Sequence, residues 1–238
     1  MITSEYLTVS LYAFTSGITI LIGGGLSRLD SFPDSKYKER ILHAMIAFGG
    51  GVLVAAVSFV LVPRGIESLS IPYIAVFFLS GAFAFFLLVR KIGRSGTAVS
   101  QLMAMMIDFI PEAIALGAVF AHDKDLGLLL AIFIGLQNLP EGFNSFKELV
   151  KNGFSPNKSL LILLPLSLSG MIASCLGFHL LHNHPSAIAA LMLFAGGGII
   201  YLTFQDIAPM SHTGKDWSPA LGASLGFFIG MLGQKLVG

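Results

Sequence analysis

The sequence predicts an all-α membrane protein with eight transmembrane helices, and two observations carry this prediction. Of the 238 residues, 55% are hydrophobic and only 11% are charged, whereas about a quarter of the residues in a soluble domain are charged. The apolar residues also recur in runs of roughly 20, the length of helix that crosses a bilayer. The predicted spans are residues 6–27, 41–62, 72–89, 98–121, 126–146, 159–181, 187–208 and 217–236.

The stretches between these spans are short and polar, and they contain turn-forming residues such as Pro33, Gly96 and Pro156. None of them is long enough to form a soluble domain, so residues 1–238 are predicted to form a single transmembrane domain. The net charge of +1 indicates neither a nucleic-acid partner nor an acidic tail. The expected surroundings are therefore the lipid bilayer.

The distribution of lysine and arginine predicts the orientation of the chain. When the connections are assigned alternately to the two sides, eleven of the 14 basic residues fall on one side, and the side with more basic loops is usually cytoplasmic. We therefore expect both termini to be extracytoplasmic, in a cell membrane such as the bacterial inner membrane. The eleven residues are Arg28, Lys36, Lys38, Arg40, Arg90, Lys91, Arg94, Lys147, Lys151, Lys158 and Lys215.

Two other residue types inside the spans are expected to serve packing. The glycine triplets at 23–25, 49–51 and 196–198 allow helix backbones to approach closely, and a sliding or hinge surface is the alternative interpretation. Met103, Met105 and Met106 of the fourth span are expected to contact the core or lipid.

The fourth and fifth predicted spans each contain a carboxylate directly after a proline. Asp108 and Glu112 lie four residues apart in the fourth span. Gln137 and Glu141 repeat this spacing in the fifth. The spacing places both polar side chains of each pair on one face of a helix. Because a charged side chain in hydrocarbon costs at least about 2.5–3.5 kcal/mol, these acids need a partner or a function.

A metal cation is the partner that this pattern predicts. The two spans are joined only by residues 121–125, so we expect antiparallel neighbours whose polar faces meet at one depth. Carboxylates that share a small dry site repel one another, and a divalent cation removes the repulsion. Pro111 and Pro140 each free a backbone carbonyl four residues earlier, and freed carbonyls are tolerated in a membrane where they meet an ion. The predicted ligands are Asp108, Glu112, Gln137 and Glu141, with Asn138 as a further candidate.

These motifs resemble those of the ZIP family of divalent metal transporters, which has His-Asn-x-Pro-Glu-Gly on helix four and His/Gln-Asn/Asp-x-Pro-Glu-Gly on helix five. Residues 137–142, Gln-Asn-Leu-Pro-Glu-Gly, match the second pattern. Residues 108–113, Asp-Phe-Ile-Pro-Glu-Ala, match the first only at the proline and the glutamate. The stretch around Asp206 resembles the family's His/Asp-Glu-Leu-x-Pro segment on helix seven.

The resemblance implies a homodimeric carrier that moves a divalent cation through one midplane site by alternating access. It also sets Asp206 at the acid of the helix-seven segment. Because Asp206 lies near the predicted cytoplasmic end of its span, we expect it to line the exit of the metal path, and a helix-terminal acid that faces the headgroups is the alternative. In family members with two metals, the second metal depends on the asparagine of helix four and a glutamate of helix six. Here Phe109 replaces that asparagine, and residues 167–174 contain no glutamate. The second site is therefore expected to be lost.

The identity of the transported ion follows from the ligand atoms and from the resemblance. The predicted ligands offer only oxygen, which suits hard ions such as Mn²⁺ or Mg²⁺, although zinc also accepts carboxylates. The resemblance implies zinc, and manganese, iron or cadmium stay open. Asp108 occupies a position that is often histidine in the family, which suggests the hypothesis that it couples metal movement to protons.

Two other functions stay open at this stage. A proton-coupled carrier of a small organic solute would use Glu112 and Glu141 as a proton relay and would bind no metal. A metal-binding relative could act as a sensor without transporting the ion. An enzyme is not expected, since an intramembrane metallohydrolase needs His-Glu-x-x-His or an equivalent motif, and the sequence has neither.

Overall fold

A computed structural model describes residues 2–30, 35–93, 98–181, 183–212 and 216–237, and all regular structure in these ranges is helical. Each of the eight predicted spans is confirmed as a helix. The helices are longer than the apolar runs, because helical backbone hydrogen bonds continue into the flanking residues. Their bounds are Ile2–Leu29 (α1), Lys36–Ser68 (α2), Ile71–Gly93 (α3), Ala98–Phe120 (α4), Lys124–Lys151 (α5), Pro156–Leu181 (α6), Pro185–Ser211 (α7) and Ser218–Val237 (α8). Outside the described ranges lie Pro33, Arg94, Gly96 and Lys215.

Length and composition make most of these helices candidates for crossing a membrane. Seven of the described helices qualify on both criteria. The remaining helix, α4, is 23 residues long and packs against both α5 and α6. The eight helices therefore form one bundle of membrane-spanning length.

Helices α2 and α7 each contain one π-helical turn, which the sequence reading did not predict. The turns are Val57–Leu61 and Thr203–Ile207. In each helix, a proline lies two residues after the turn. Proline has no backbone N–H to donate, and the wider turn makes room for the carbonyl that is left without this donor. Such turns often mark functional positions, and the turn in α7 contains Asp206.

The helices pack as two groups. Helices α1, α4, α5 and α6 contact one another extensively, whereas α2 packs along α8 and α3 packs along α7. The two groups meet where α2 crosses α5 and where α4 crosses α7. Only 11% of the apolar window of α3 is buried, so this helix presents most of its surface to lipid.

Glycine allows the closest helix approaches. A Cβ atom on Gly142 of α5 would overlap the backbone carbonyl of Ile20 in α1. One on Gly51 of α2 would overlap that of Ala223 in α8. Substitution at either position therefore requires a helix to move, which confirms the expected packing role for Gly51, whereas a Cβ atom on Gly25 would meet open space.

Ion pairs bring together the connections that the charge pattern assigns to one side. Asp30, after α1, pairs with Lys38 of α2 at 2.8 Å and with Lys147 of α5 at 3.7 Å. At the opposite end, Arg64 of α2 pairs with Asp123, before α5, at 2.5 Å. The alternation of the connections is thus confirmed, whereas the side that faces the cytoplasm and the extracytoplasmic termini stay predictions.

Candidate metal site

The polar faces of α4 and α5 meet, as their spacing predicts. The Gln137 side-chain amide donates a hydrogen bond from Nε2 to Glu112 Oε2 at 2.5 Å. Both side chains are buried, with exposed fractions of 1% and 2%. This contact fixes the register of the two antiparallel helices.

Four acids lie close enough together to interact electrostatically. The Asp108 carboxylate interacts with Glu112 and Glu141, and also with Asp206 of α7. In the described parts of the chain, no lysine or arginine forms an ion pair with any of the four. The cluster therefore concentrates acidic groups within the bundle.

Two buried oxygen atoms in this cluster have no hydrogen-bond partner. They are Asp108 Oδ1 and Gln137 Oε1, and unsatisfied buried acceptors are rare in folded proteins. Within the described ranges, no three His, Cys, Asp or Glu side chains form a ready coordination shell. The acids are therefore within electrostatic range of one another, with acceptor atoms still free, but they do not converge on one point.

Asn138 stays a predicted ligand, because its buried Oδ1 atom has no hydrogen-bond partner. Its Nδ2 donates to the backbone carbonyl of Ser16 in α1 at 3.1 Å, and its side chain is fully buried there. The amide nitrogen therefore connects α5 to α1. Sequence spacing could not reveal this, because the partner lies 122 residues away in the chain.

The candidate site lies near the boundary between the two helix groups. The charge of Asp206 acts on Asp108 from α7, which belongs to the group opposite α4 and α5. On the other side, Gly49 of α2 lies against α5, where an added Cβ would be 3.5 Å from Pro140 Cγ and 3.7 Å from Gln137 Cα. Relative movement of the two groups would therefore change the surroundings of the acids.

Phe109 fills a slot between α1 and α6. Its side chain is buried, and its ring occupies the space that a Cβ atom on Gly170 would take. A Cβ on Gly17 would lie 3.3 Å from Phe109 Cζ. Beside the ring, Ser167 Oγ donates to the backbone carbonyl of Gly17 at 2.7 Å. An aromatic ring and an internal hydrogen bond thus occupy this position next to the acids.

The surroundings of the acids differ along the helix axes. One turn beyond Glu112 and Gln137, α4 and α5 carry Leu116 and Phe133, both fully buried. In the opposite direction the two helices carry Met105 and Ser145, which contact each other. Neither residue was predicted to belong to the site.

Comparison with known proteins identifies the family. The family model described as ZIP zinc transporter matches residues 91–234, more than half of the chain. The chain belongs to the ZIP zinc transporter family. The match contains both Pro-Glu motifs and the Asp206 segment, and it confirms the resemblance seen in the sequence. Together with the apolar helices, it makes this a multi-pass integral membrane protein.

Three ZIP-family relatives are similar over part of their length. Zinc transporter GufA of Myxococcus xanthus is 28% identical over 146 residues, covering 59% of this chain and 58% of the relative. Zinc transporter zipt-7.1 of Caenorhabditis briggsae is 30% identical over 118 residues, covering 48% and 30%. Zinc transporter ZIP13 of Homo sapiens is 26% identical over 132 residues, covering 51% and 34%. The chain therefore spans less than two thirds of each relative.

Proposed function

We propose that this ZIP-family protein moves a divalent metal cation across the membrane through a single site between α4 and α5. The ligands are Asp108, Glu112, Gln137 and Glu141. The observation that carries the proposal is the cluster of acids, which has no basic partner in the described chain. Like charges in a low-dielectric site repel, and a doubly charged ion offsets the repulsion while using the free acceptor atoms.

Zinc is the proposed first substrate. Three relatives are named as zinc transporters, and zinc accepts carboxylate oxygen as a ligand. The oxygen-only ligand set also suits harder ions such as manganese, so manganese, iron and cadmium belong in the same assays. Phe109 supports a single metal position, because its ring fills the slot between α1 and α6.

Alternating access is the proposed mechanism. The ligands belong to α4 and α5 of one helix group, whereas Asp206 and Gly49 belong to the other, so movement between the groups opens the site to either side. Leu116 and Phe133, both buried one turn beyond Glu112 and Gln137, form the proposed barrier on the predicted outer side. The ion then leaves past Asp206 toward the predicted cytoplasmic side.

A homodimer is also proposed, on the strength of the family resemblance. Light scattering of the purified protein in detergent gives the protein mass of the particle. Twice the chain mass of 25.3 kDa is expected, and a particle of one chain mass contradicts this part of the proposal.

Uptake of radiolabelled zinc into proteoliposomes tests the function. We expect uptake by the unmodified protein and its loss in Glu112→Gln and Glu141→Gln, which keep the side-chain size and remove one charge. Glu148→Gln is the matched control, because Glu148 also lies on α5 but pairs with Lys151 at 3.8 Å, away from the acids. This variant should retain uptake.

The same preparation separates the other functions. A carrier of an organic solute would neither accumulate zinc nor be stabilised by it against thermal unfolding. A sensor would be stabilised by zinc but would accumulate none. Either result contradicts the proposed transport.

A further inference from the structure

A methionine and a serine face each other directly beneath the acids. Ser145 Oγ donates to Met105 Sδ at 3.6 Å, and the two side chains are buried, with exposed fractions of 1% and 5%. Most other span hydroxyls donate to a carbonyl of their own helix, as Ser16, Ser159 and Thr203 do. Ser145 reaches to a neighbouring helix instead, although a thioether is only a weak acceptor.

Met105 and Ser145 extend the row of facing side chains between α4 and α5 by one helical turn. Met105 lies three residues before Asp108 on α4, and Ser145 lies four residues after Glu141 on α5. Residues three or four apart share a helix face. Because the two helices are antiparallel, both steps lead toward the same end of the bundle. The contact between Gln137 and Glu112 is therefore followed first by Glu141 and Asp108, and then by Ser145 and Met105.

The Met105–Ser145 pair differs chemically from the neighbouring acids. Thioether sulfur is a soft ligand that favours soft or borderline metals, whereas carboxylate and hydroxyl oxygens suit hard ions. Asp108 lies one turn above Met105, and its buried Oδ1 has no hydrogen-bond partner. One thioether, one hydroxyl and one free carboxylate oxygen thus belong to residues within one helical turn of each other along this interface.

Packing alone accounts for the other methionines of α4. Met103 and Met106 are exposed on the outside of the bundle, as expected for contacts with lipid. Met105 is the one whose sulfur meets a polar group of the next helix.

We propose that Met105 Sδ, Ser145 Oγ and Asp108 Oδ1 form a second stage of the metal path, which a borderline or soft divalent cation such as Zn²⁺ or Cd²⁺ occupies after leaving the carboxylate site. The stage rests on the proposed transport function and adds its selectivity. It favours Zn²⁺ and Cd²⁺ over Mn²⁺, which the oxygen ligands above do not.

Uptake of Cd²⁺ and Mn²⁺ into proteoliposomes, measured for both ions on the same preparations, tests this stage. Met105→Leu removes the sulfur at nearly constant volume, and we expect the ratio of Cd²⁺ to Mn²⁺ uptake to fall roughly tenfold, the effect of losing one supporting contact at a metal site. Ser145→Ala should lower the ratio in the same direction. Met103→Leu and Met106→Leu are matched controls, and both should leave the ratio unchanged.

The outcomes separate the two proposals. If the unmodified protein transports metal but Met105→Leu and Ser145→Ala keep its ion ratio, the pair only packs and the second stage is wrong. An equal change of ratio in Met106→Leu also overturns it. If the unmodified protein accumulates neither ion, the proposed transport function is wrong, and the proposed second stage is then wrong as well.

Discussion

Neutralising one carboxylate of the site should have opposite effects on stability with and without metal. Glu141→Gln keeps the side-chain size and removes one of the charges that Asp108 faces. At an effective dielectric constant near 20, two charges about 5–6 Å apart repel by about 3 kcal/mol. Proton uptake by one acid relieves part of this repulsion. We therefore expect the metal-free variant to unfold with a free energy about 1–3 kcal/mol higher than the unmodified protein.

Metal should cancel or reverse the difference in stability between the two proteins. A ligand present at about 100 times its dissociation constant stabilises the folded state by about 2.7 kcal/mol. The unmodified protein should gain this amount from zinc, while Glu141→Gln should gain little because it lacks one ligand. For chains of this size, each kcal/mol shifts the melting temperature by about 2–4 °C.

Thermal unfolding in detergent measures both effects, once with chelator and once with zinc. Glu148→Gln is the control, since Glu148 pairs with Lys151 and not with the acids, and its zinc response should equal that of the unmodified protein. The reasoning is refuted if Glu141→Gln is the less stable protein in chelator and still gains the full stabilisation from zinc.

Three further changes test separate parts of the structure. Phe109→Ala should lower the free energy of unfolding by about 3–5 kcal/mol, because loss of a buried ring leaves a cavity. Phe204 is exposed, so Phe204→Ala should change this free energy little. Equal losses of stability in thermal unfolding would show that Phe109 fills no slot. Asp108→Asn should reduce zinc uptake and remove the pH dependence of that uptake. Proton coupling through Asp108 is refuted if the variant takes up zinc like the unmodified protein and the unmodified protein shows no pH dependence. Arg64→Gln breaks a half-exposed ion pair between the helix groups, so it should change the unfolding free energy by at most about 1 kcal/mol while altering the uptake rate up to about fivefold. If neither Arg64→Gln nor Asp123→Asn alters the rate of zinc uptake, this ion pair does not hold the two helix groups together.

The fold and the contact between the polar faces of α4 and α5 could be predicted because both depend on local spacing. Apolar runs of bilayer length fixed the eight spans, and the four-residue spacing of Asp108 and Glu112 placed them on one face. A short connection made α4 and α5 antiparallel neighbours, so Gln137 could be expected opposite Glu112. These inferences need only helix geometry and chain connectivity.

The remaining features depend on how each helix is rotated against distant partners. Asn138 follows Gln137 directly, yet it faces Ser16 of α1, and nothing in its neighbouring sequence indicates that partner. The π turn around Asp206 depends on backbone hydrogen bonding near a proline, which apolar patterns do not reveal. Met105 could have been noticed from its three-residue spacing to Asp108, but methionine in an apolar run is usually a packing residue.

Anomalous scattering from crystals soaked in zinc, and separately in cadmium, would locate the bound metal. We predict one main zinc peak between α4 and α5, at about 2.0–2.2 Å from oxygen atoms of Asp108, Glu112 or Glu141, and none in the slot that Phe109 fills. Zinc found only at the surface, with the three carboxylates turned away from one another, would contradict this prediction.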